Sequence, residues 1–369
     1  MAQTTVNYTC PSCGAPLPYG MEEGITCEYC GTSFTLEQLE ALLGNQQKLE
    51  EHRSQAERSH WQTEAAGEEW SPEEAAHLQG FTCSSCGAEI VCDENTMATE
   101  CCYCGNPTML PSRFSGTLKP DYIIPFKKSK EEAVAALEGF YQGKRLLPRD
   151  FVKKNRVQDI QGLYVPFWLF DSEVTASAAF RAEHDQVVHT SDYIITTTSV
   201  YNCRRMGKMA FAKIPVDGSQ KMNDTYMESI EPFDYQDLKP FRAAYLSGFL
   251  ADKYDVEAKQ AVDRADRRLS VSASGCLAKT LDKSYTRVNP LGPCSVVKEA
   301  GIVKYAMVPV WILTTRYRGR PYTFMMNGQT GKLVGSLPVD KNKLWAYSIA
   351  CFLCCLIVLY LLLGHTIMA

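Results

Sequence analysis

Eight of the chain's sixteen cysteines lie in four Cys-x-x-Cys-Gly motifs, and these motifs form two pairs. Two thiolates three residues apart hold one metal ion from a tight turn, and a second such turn completes a tetrahedral site. The spacing therefore predicts two small ribbons, each of which binds one metal ion through four sulfur atoms. The predicted ligands are Cys10, Cys13, Cys27 and Cys30 in the first ribbon, and Cys83, Cys86, Cys101 and Cys104 in the second.

The glycine after each second cysteine supports this interpretation. Glycine adopts positive φ without strain, and such a turn points backbone N–H groups at the sulfur atoms. Cys102 also lies in the fourth motif. It is left out of the ligand set, because only Cys101 keeps the two-residue gap to Cys104.

Zinc is favoured over iron, although rubredoxin-like iron sites use the same motifs. The separation within each pair is short, and no motif for an electron-transfer partner is found, so we expect two zinc ions. Four protein ligands leave no coordination position for a substrate. The predicted metal sites are therefore structural.

The composition predicts a reducing compartment for these thiolates. A chain of 369 residues suits two or three domains. Sixteen cysteines would also fit a secreted disulfide scaffold, but residues 1–9 contain neither a basic region nor an apolar run, so we expect no secretory signal. We therefore predict that the body of the protein is cytoplasmic.

The charge is divided unevenly along the chain. Residues 1–118 contain 17 acidic and 4 basic side chains, whereas the rest of the chain contains 25 acidic and 34 basic side chains. Four thiolates around one Zn²⁺ add further negative charge to each ribbon. The ribbon half of the chain is therefore acidic, and this bears on the kind of partner it can bind.

The run from Leu344 to Leu363 contains twenty residues without a charge. A helix of that length measures about 30 Å, which matches the hydrocarbon core of a bilayer. A buried core helix is the alternative, but it would show a polar stripe, and this run has only Ser348. The lysines at 341 and 343 favour a cytoplasmic N-terminal side. We therefore predict a tail anchor that contacts the lipid bilayer, and a single-pass protein of the cell membrane.

The predicted fold class is α+β, with two ribbons, a helical spacer, a duplicated α+β domain and one transmembrane helix. Within the spacer, Ser71 and Pro72 predict the start of a helix. The predicted bounds are 7–35 and 81–111 for the ribbons, 36–79 for the spacer, 119–340 for the duplicated domain and 344–363 for the transmembrane helix.

The duplication is predicted from a repeated pattern in which Ile-x-Pro-Phe precedes a helix, and a Val-Pro-x-Trp strand follows it. The helices are expected at 129–141 and near 236–268, and the strands contain Trp168 and Trp311. Buried tryptophans in the core are the expected role of this motif.

These features together resemble a bacterial family of membrane-tethered zinc-ribbon proteins. The features are the double ribbons, the Val-Pro-x-Trp repeat, the segment Asn-Gly-Gln-Thr-Gly-Lys at 327–332 and the C-terminal apolar run. Members of that family are labelled as containing a TFIIB-type zinc ribbon or are likened to the primosomal helicase. The resemblance covers nearly the whole chain and implies zinc, but it does not imply an activity.

Three functions remain open from the sequence. The first, which we favour, is a membrane-anchored adaptor or scaffold whose ribbons contact an unidentified protein partner at the cytoplasmic face. The second is nucleic-acid binding in transcription or replication restart. Phosphate binding needs lysine and arginine, however, and the first ribbon has none, so the acidic ribbons argue against it.

The third function is an enzyme with an unrecognised active site. A phosphate-binding loop would need Gly-x-x-x-x-Gly-Lys-Ser/Thr, and the segment around Gly328 and Gly331 lacks both its first glycine and its hydroxyl residue. A hairpin turn explains these glycines better. His184 and His189 have no third ligand in the sequence and are expected at the surface. We therefore predict no enzymatic activity and no catalytic residues.

Overall fold

The computed structural model describes residues 25–27, 29, 31–35, 60–94, 96, 98, 100–112, 117–154, 157–222 and 224–368. The chain forms two compact units, each described here by itself. The core unit consists of Gln62–Phe170, Lys213–Ala265 and Ile302–Ala369. The hairpin unit consists of Met1–Trp61, Asp171–Ala212 and Asp266–Gly301.

The structure is α+β and contains a large mixed sheet. The α-helices among the described residues are α1 (Pro72–Ala76), α2 (Lys130–Tyr141), α3 (Arg149–Lys154), α4 (Asp224–Ile230), α5 (Ala258–Ala278) and α6 (Lys341–Met368). The shorter strands are β1 (Ile25–Thr26), β2 (Ser33–Phe34), β3 (Trp61–Gln62), β4 (Leu78–Cys83), β5 (Glu89–Asp93), β6 (Met109–Ser112) and β7 (Tyr122–Ile123). The remaining strands are β8 (Gln161–His189), β9 (Ile194–Asp217), β10 (Lys239–Pro240), β11 (Leu250–Asp252), β12 (Arg287–Pro290), β13 (Ser295–Tyr317), β14 (Arg320–Asn327) and β15 (Leu333–Gly335).

The sheet of the core unit joins strands that are far apart in sequence. Its order is β10-β7-β13-β8-β11-β5-β4-β6, and β14 adds to β13. Two of the pairings are parallel, β7 with β13 and β11 with β8. The pairings of β10 with β7, β11 with β5, β13 with β14, and β4 with β5 and β6 are antiparallel. Strand β5 of the second predicted ribbon pairs with β11, so this ribbon is an integral part of the sheet. The predicted domain bounds themselves stay a prediction.

Two helices of the core unit begin with a capping box. Ser71 and Glu74 cap α1, with Pro72 as its first residue, which confirms the helix start predicted there. Ser129 and Glu132 cap α2 in the same way, close to the predicted start at residue 129. Each box satisfies backbone N–H groups that a first helical turn otherwise leaves without a partner.

The two Val-Pro-x-Trp strands make matching hydrogen bonds inside the core unit. The indole nitrogen of Trp311 donates to the carbonyl of Lys128 at 2.9 Å, and that of Trp168 donates to the carbonyl of Val256 at 2.8 Å. Each carbonyl lies two residues before a helix, α2 and α5 respectively. Both tryptophans are buried, as the sequence predicts. Each indole therefore joins the start of a helix to a sheet strand.

Two glycines extend this correspondence. The N–H of Gly328 donates to the carbonyl of Pro309, and that of Gly218 donates to the carbonyl of Pro166. Each proline lies two residues before the tryptophan of its strand. The carbonyl of Gly328 accepts the N–H groups of Lys127 and Lys128. The carbonyl of Gly218 accepts those of Asp255 and Val256. The core unit is therefore built from two halves with the same frame.

The strand that leads into each helix pairs with the Val-Pro-x-Trp strand of the other half. Strand β7 leads into α2 and lies parallel to the Trp311 strand, whereas β11 leads into α5 and lies parallel to the Trp168 strand. The helix predicted near 236–268 begins instead at Ala258. That prediction is wrong at its start, because the residues before this helix include the strands β10 and β11.

The hairpin unit contains the remaining parts of the long strands. Strands β8 and β9 pair, and β12 pairs with β8 from Phe180 to Glu183. One face of these strands packs on α5 through an apolar cluster. The buried members of this cluster are Ala176, Ala178, Phe180, Ala273, Leu277, Leu281 and Cys294.

The predicted transmembrane helix is wrong. Residues 344–363 lie in α6, but no helix among the residues that the structure describes is long and apolar enough to cross a membrane. The bilayer contact through 344–363, the tail anchor and the single-pass membrane localisation are wrong with it.

The start of α6 is attached to the folded core unit. The Asp340 carboxylate accepts hydrogen bonds from the N–H groups of Asn342 and Lys343. The ammonium group of Lys343 donates to the carbonyl of Leu147 at 2.7 Å. The count of uncharged residues in the sequence does not reveal these contacts.

The close backbone packing at Gly328 is testable by a pair of alanine substitutions. A Cβ at Gly328 would lie 2.6 Å from the ring of Phe126, whereas one at Gly139 in α2 would meet nothing within 4 Å. We expect Gly328→Ala to cost about 1–3 kcal/mol and to lower the thermal midpoint by several degrees. Gly139→Ala should instead stabilise by roughly 0.5–1 kcal/mol. Thermal unfolding of the full chain measures both, and an equal midpoint for the two variants would contradict the packing described.

Candidate metal centre

Four cysteine sulfur atoms of the second ribbon converge on one point. The Sγ atoms of Cys83, Cys86, Cys101 and Cys104 all lie within 4.8 Å of one another. The Sγ atoms of Cys83 and Cys104 are 3.7 Å apart, and those of Cys86 and Cys101 are 3.6 Å apart. A tetrahedral shell with metal–sulfur bonds of about 2.3 Å places its sulfur atoms about 3.8 Å apart. This group therefore fits one metal ion, and its four residues are those that the sequence predicts.

The backbone around these cysteines repeats the same turn twice. The N–H of Gly87 donates to the backbone carbonyl of Cys83, and the N–H of Gly105 donates to the backbone carbonyl of Cys101. Both glycines have positive φ, 69° and 64°, as the sequence predicts for the residue after the second cysteine. The N–H of Ser85 also points to the Cys83 sulfur at 3.4 Å. The turn is therefore shaped to accept negative charge on the sulfur atoms.

The thiols of this group differ in their ionisation. Burial raises the pKa of Cys83, but hydrogen bonds from the N–H groups of Cys86 and Ser85 and from the Asn106 amide outweigh it and bring the pKa to about 6. Burial raises the pKa of Cys86 and, far more strongly, that of Cys101. The protein alone therefore does not favour four thiolates together. A bound cation supplies the charge that does so.

Three side chains of the core unit hold the ribbon from outside the cysteine group. Lys221 donates to the carbonyl of Cys86 at 3.2 Å. Thr314 donates to the carbonyl of Cys102 at 2.8 Å, and the Nε of Arg316 donates to that of Cys104 at 3.2 Å. The sequence analysis missed these residues, because they lie more than a hundred positions from the cysteines and carry no motif. The shape of the metal turns is thus tied to the sheet.

Two further cysteines near the ribbon do not join the group. Cys102 is buried in the core cluster that contains Phe81 and Ile90, and burial raises its pKa well above the ordinary value. Cys92 is buried in the same cluster, where its thiol donates to the carbonyl of Thr96. The four-cysteine group excludes both, and leaving Cys102 out of the predicted ligand set agrees with this geometry.

The first ribbon lies only partly within the described residues. Cys10, Cys13 and Cys30 lie outside them, so these three predicted ligands stay a prediction. Cys27 is buried, and its carbonyl accepts the N–H of Gly31, whose φ is 69°. This is the same turn as at Cys83 and Cys101. Strands β1 and β2 flank it as an antiparallel pair.

The fold and the cysteine group together define an α+β protein with a four-cysteine group that fits one metal ion. The chain is 33% identical over 345 residues to YdjG of Bacillus subtilis (strain 168), an uncharacterized protein, and the match covers 93% of each chain. The chain therefore belongs to the same family as YdjG. No family model matches it, and no solved structure matches it. The resemblance to TFIIB-type ribbon proteins stays a prediction.

Replacing a ligand tests the metal centre directly. We expect Cys83→Ser to remove one equivalent of bound metal from the purified chain, because three sulfur ligands hold a metal ion far more weakly than four. Cys276→Ser is the matched control, since Cys276 is exposed on α5 and lies outside the four-cysteine group. Elemental analysis of the two variants and the parent gives the count. An unchanged metal content in Cys83→Ser would contradict the assignment.

Proposed function

We propose that this protein is a zinc-stabilised adaptor that binds another protein. The observation that carries the metal part of the proposal is the spacing of the four sulfur atoms around Cys83 and Cys101. Closed four-sulfur shells favour zinc and have a structural role. By the same spacing in sequence, a second zinc ion would be held by Cys10, Cys13, Cys27 and Cys30. Catalysis is left out of the proposal, because a closed shell offers no position to a substrate.

An exposed apolar surface in the hairpin unit supports the adaptor role. Strands β8 and β9 meet in a turn that Thr190 closes, since its N–H and its hydroxyl both donate to the carbonyl of Tyr193. Seven large apolar side chains around this turn, which we call the hairpin tip, are between 46% and 73% exposed. They are Val187, Val188, Tyr193, Ile194, Ile195, Val200 and Tyr201. Exposed apolar side chains concentrated at one tip are typical of a surface that a partner covers.

Strand β9 also offers backbone groups to a partner. Among the described strands it pairs only with β8, so its other edge presents N–H and C=O groups over many residues. A protein segment that adds as a further strand would satisfy those groups and cover the apolar side chains beside them. The proposed occupant is therefore an extended, apolar segment of a partner protein. The second ribbon suits this contact less well, because Lys221, Thr314 and Arg316 already hold its turns.

The charge of the hairpin tip favours protein over nucleic acid. Residues 187–201 contain no lysine or arginine, and Asp192 is their one carboxylate. Nucleic acids are bound largely through basic side chains that neutralise phosphates. The same argument applies to the acidic ribbon half of the chain. Nucleic-acid binding therefore remains the second candidate.

Photo-crosslinking in cells tests this proposal. Benzoylphenylalanine replaces Tyr193 in one full-length variant and Val271 in a control, since Val271 is equally exposed but stands apart on α5. We expect a defined protein adduct from position 193 only, and its loss when Ile194→Asp is added. That charge disfavours burial of the tip by a partner.

The other outcomes contradict the proposal in different ways. Adducts of equal intensity at positions 193 and 271 would mean that the hairpin tip is not a specific contact. Adducts to nucleic acid would favour the second candidate. Adducts to a second copy of this chain would replace the adaptor role with self-association.

A further inference from the structure

The two halves of the core unit differ at one position beside the buried tryptophans. Gly162 and Tyr305 each stand six residues before a tryptophan, Trp168 and Trp311 respectively. Each also stands one residue before the parallel pairing of its strand, with β11 and β7 respectively. The two positions are therefore equivalent in the repeated frame. One half has a glycine there, and the other has a large aromatic ring.

In the second half, which contains Trp311, the side chain of Tyr305 occupies this position. The ring of Tyr305 packs against those of Trp168 and Tyr254, with centroids 5.1 Å and 5.6 Å apart, and the residue is fully buried. The cavity that borders Tyr305 measures only about 20 Å³. This half therefore has no room for a ligand at the equivalent position.

In the first half, the ring of Phe249 lies over the backbone of Gly162, and both residues border a cavity of about 620 Å³. Cavities of this size hold small organic molecules. Its apolar wall is formed by Phe126, Phe249 and Trp311. Phe126 and Phe249 are stacked with their centroids 4.2 Å apart and their planes 5° apart, and Trp311 meets Phe126 edge-on at 5.0 Å. This wall suits a flat apolar group.

The backbone fixes this wall in place. A Cβ at Gly162 would lie 2.5 Å from the ring of Phe249, and one at Gly328 would lie 2.6 Å from the ring of Phe126. The two stacked rings therefore rest directly on glycine backbone. Little conformational entropy is lost when a ligand binds to rings that are already held.

The rim of the cavity carries three lysines. Lys127 pairs with Asp237 at 2.5 Å, and Lys128 pairs with Glu132 at 2.8 Å. Lys130 lines the cavity, is exposed, and forms no ion pair within the described part of the chain. The positive charge left over at the rim is therefore that of Lys130, which suits a ligand with one acidic group.

The start of α2 does not supply this anion site. The Ser129 hydroxyl accepts the N–H of Glu132, and the Glu132 carboxylate accepts the N–H of Ser129. A buried polar atom elsewhere in the cavity does call for a partner. Gln161 lines the cavity, and its buried Oε1 atom has no hydrogen-bond partner among the described residues. Rotation of this side chain toward the cavity would let a ligand N–H or O–H satisfy that atom.

We propose that this cavity binds a small organic anion that has a flat apolar body, one acidic group and a hydrogen-bond donor. The body lies against Phe126, Phe249 and Trp311. The acidic group, a carboxylate or a phosphate, faces Lys130. The donor meets Gln161. This site is separate from the four-cysteine group, and its ligand is distinct from the partner protein of the proposed function.

A matched pair of fluorescent probes tests the site on the full chain. 8-Anilinonaphthalene-1-sulfonate has a flat body, an N–H and a negative charge, and N-phenyl-1-naphthylamine is its neutral counterpart. We expect Lys130→Gln to weaken binding of the anionic probe about threefold to tenfold and to leave binding of the neutral probe unchanged. Phe249→Leu should weaken both probes. Lys259→Gln is the control, because Lys259 is an exposed lysine at the start of α5, outside the cavity.

The result that overturns the proposal is equally specific. Equal affinity of the anionic probe for the parent and for Lys130→Gln would show that its charge does not face this lysine. The same conclusion follows if Lys259→Gln weakens that probe as much as Lys130→Gln does. Absence of saturable binding of either probe to the parent would also reject the site.

Discussion

Four cysteine sulfur atoms within 4.8 Å of one another are the constraint on which the ribbon depends. Four thiolates this close repel each other, and burial disfavours ionisation of Cys101, so a bound cation would stabilise the arrangement. The turns that present the sulfur atoms are in turn held by Lys221, Thr314 and Arg316. Metal binding and the packing of the core unit are therefore linked, and the ribbon is not an independent module.

The core unit contains the same backbone frame twice, and the side chains around the two copies pack differently. In each copy a glycine joins a Val-Pro-x-Trp strand to the segment before a helix. In one copy the ring of Tyr305 packs against Trp168, whereas in the other the ring of Phe249 lies over Gly162 and borders a cavity. Both copies are stabilised by the same backbone hydrogen bonds.

The sequence predicts local features well because short-range rules determine them. The cysteine spacing gives the four-cysteine group of the second ribbon, and Ser71 with Pro72 gives the start of α1. Pairing across long separations cannot be deduced in this way, as β5 with β11 shows. The role of Gly162 appears only once its equivalent, Tyr305, is known. The apolar run at 344–363 predicts how long a helix is, but it does not reveal how the start of α6 is attached to the core unit.

Hydrogen exchange of the full chain with and without its metal tests the central claim most directly. If metal binding and sheet packing are linked, removal of the metal should lower the protection of residues 83–104 and also that of β11 and of β13 near Thr314. Local opening energies report this difference residue by residue. Loss of protection confined to residues 83–104, with β11 and β13 unchanged, would contradict the account.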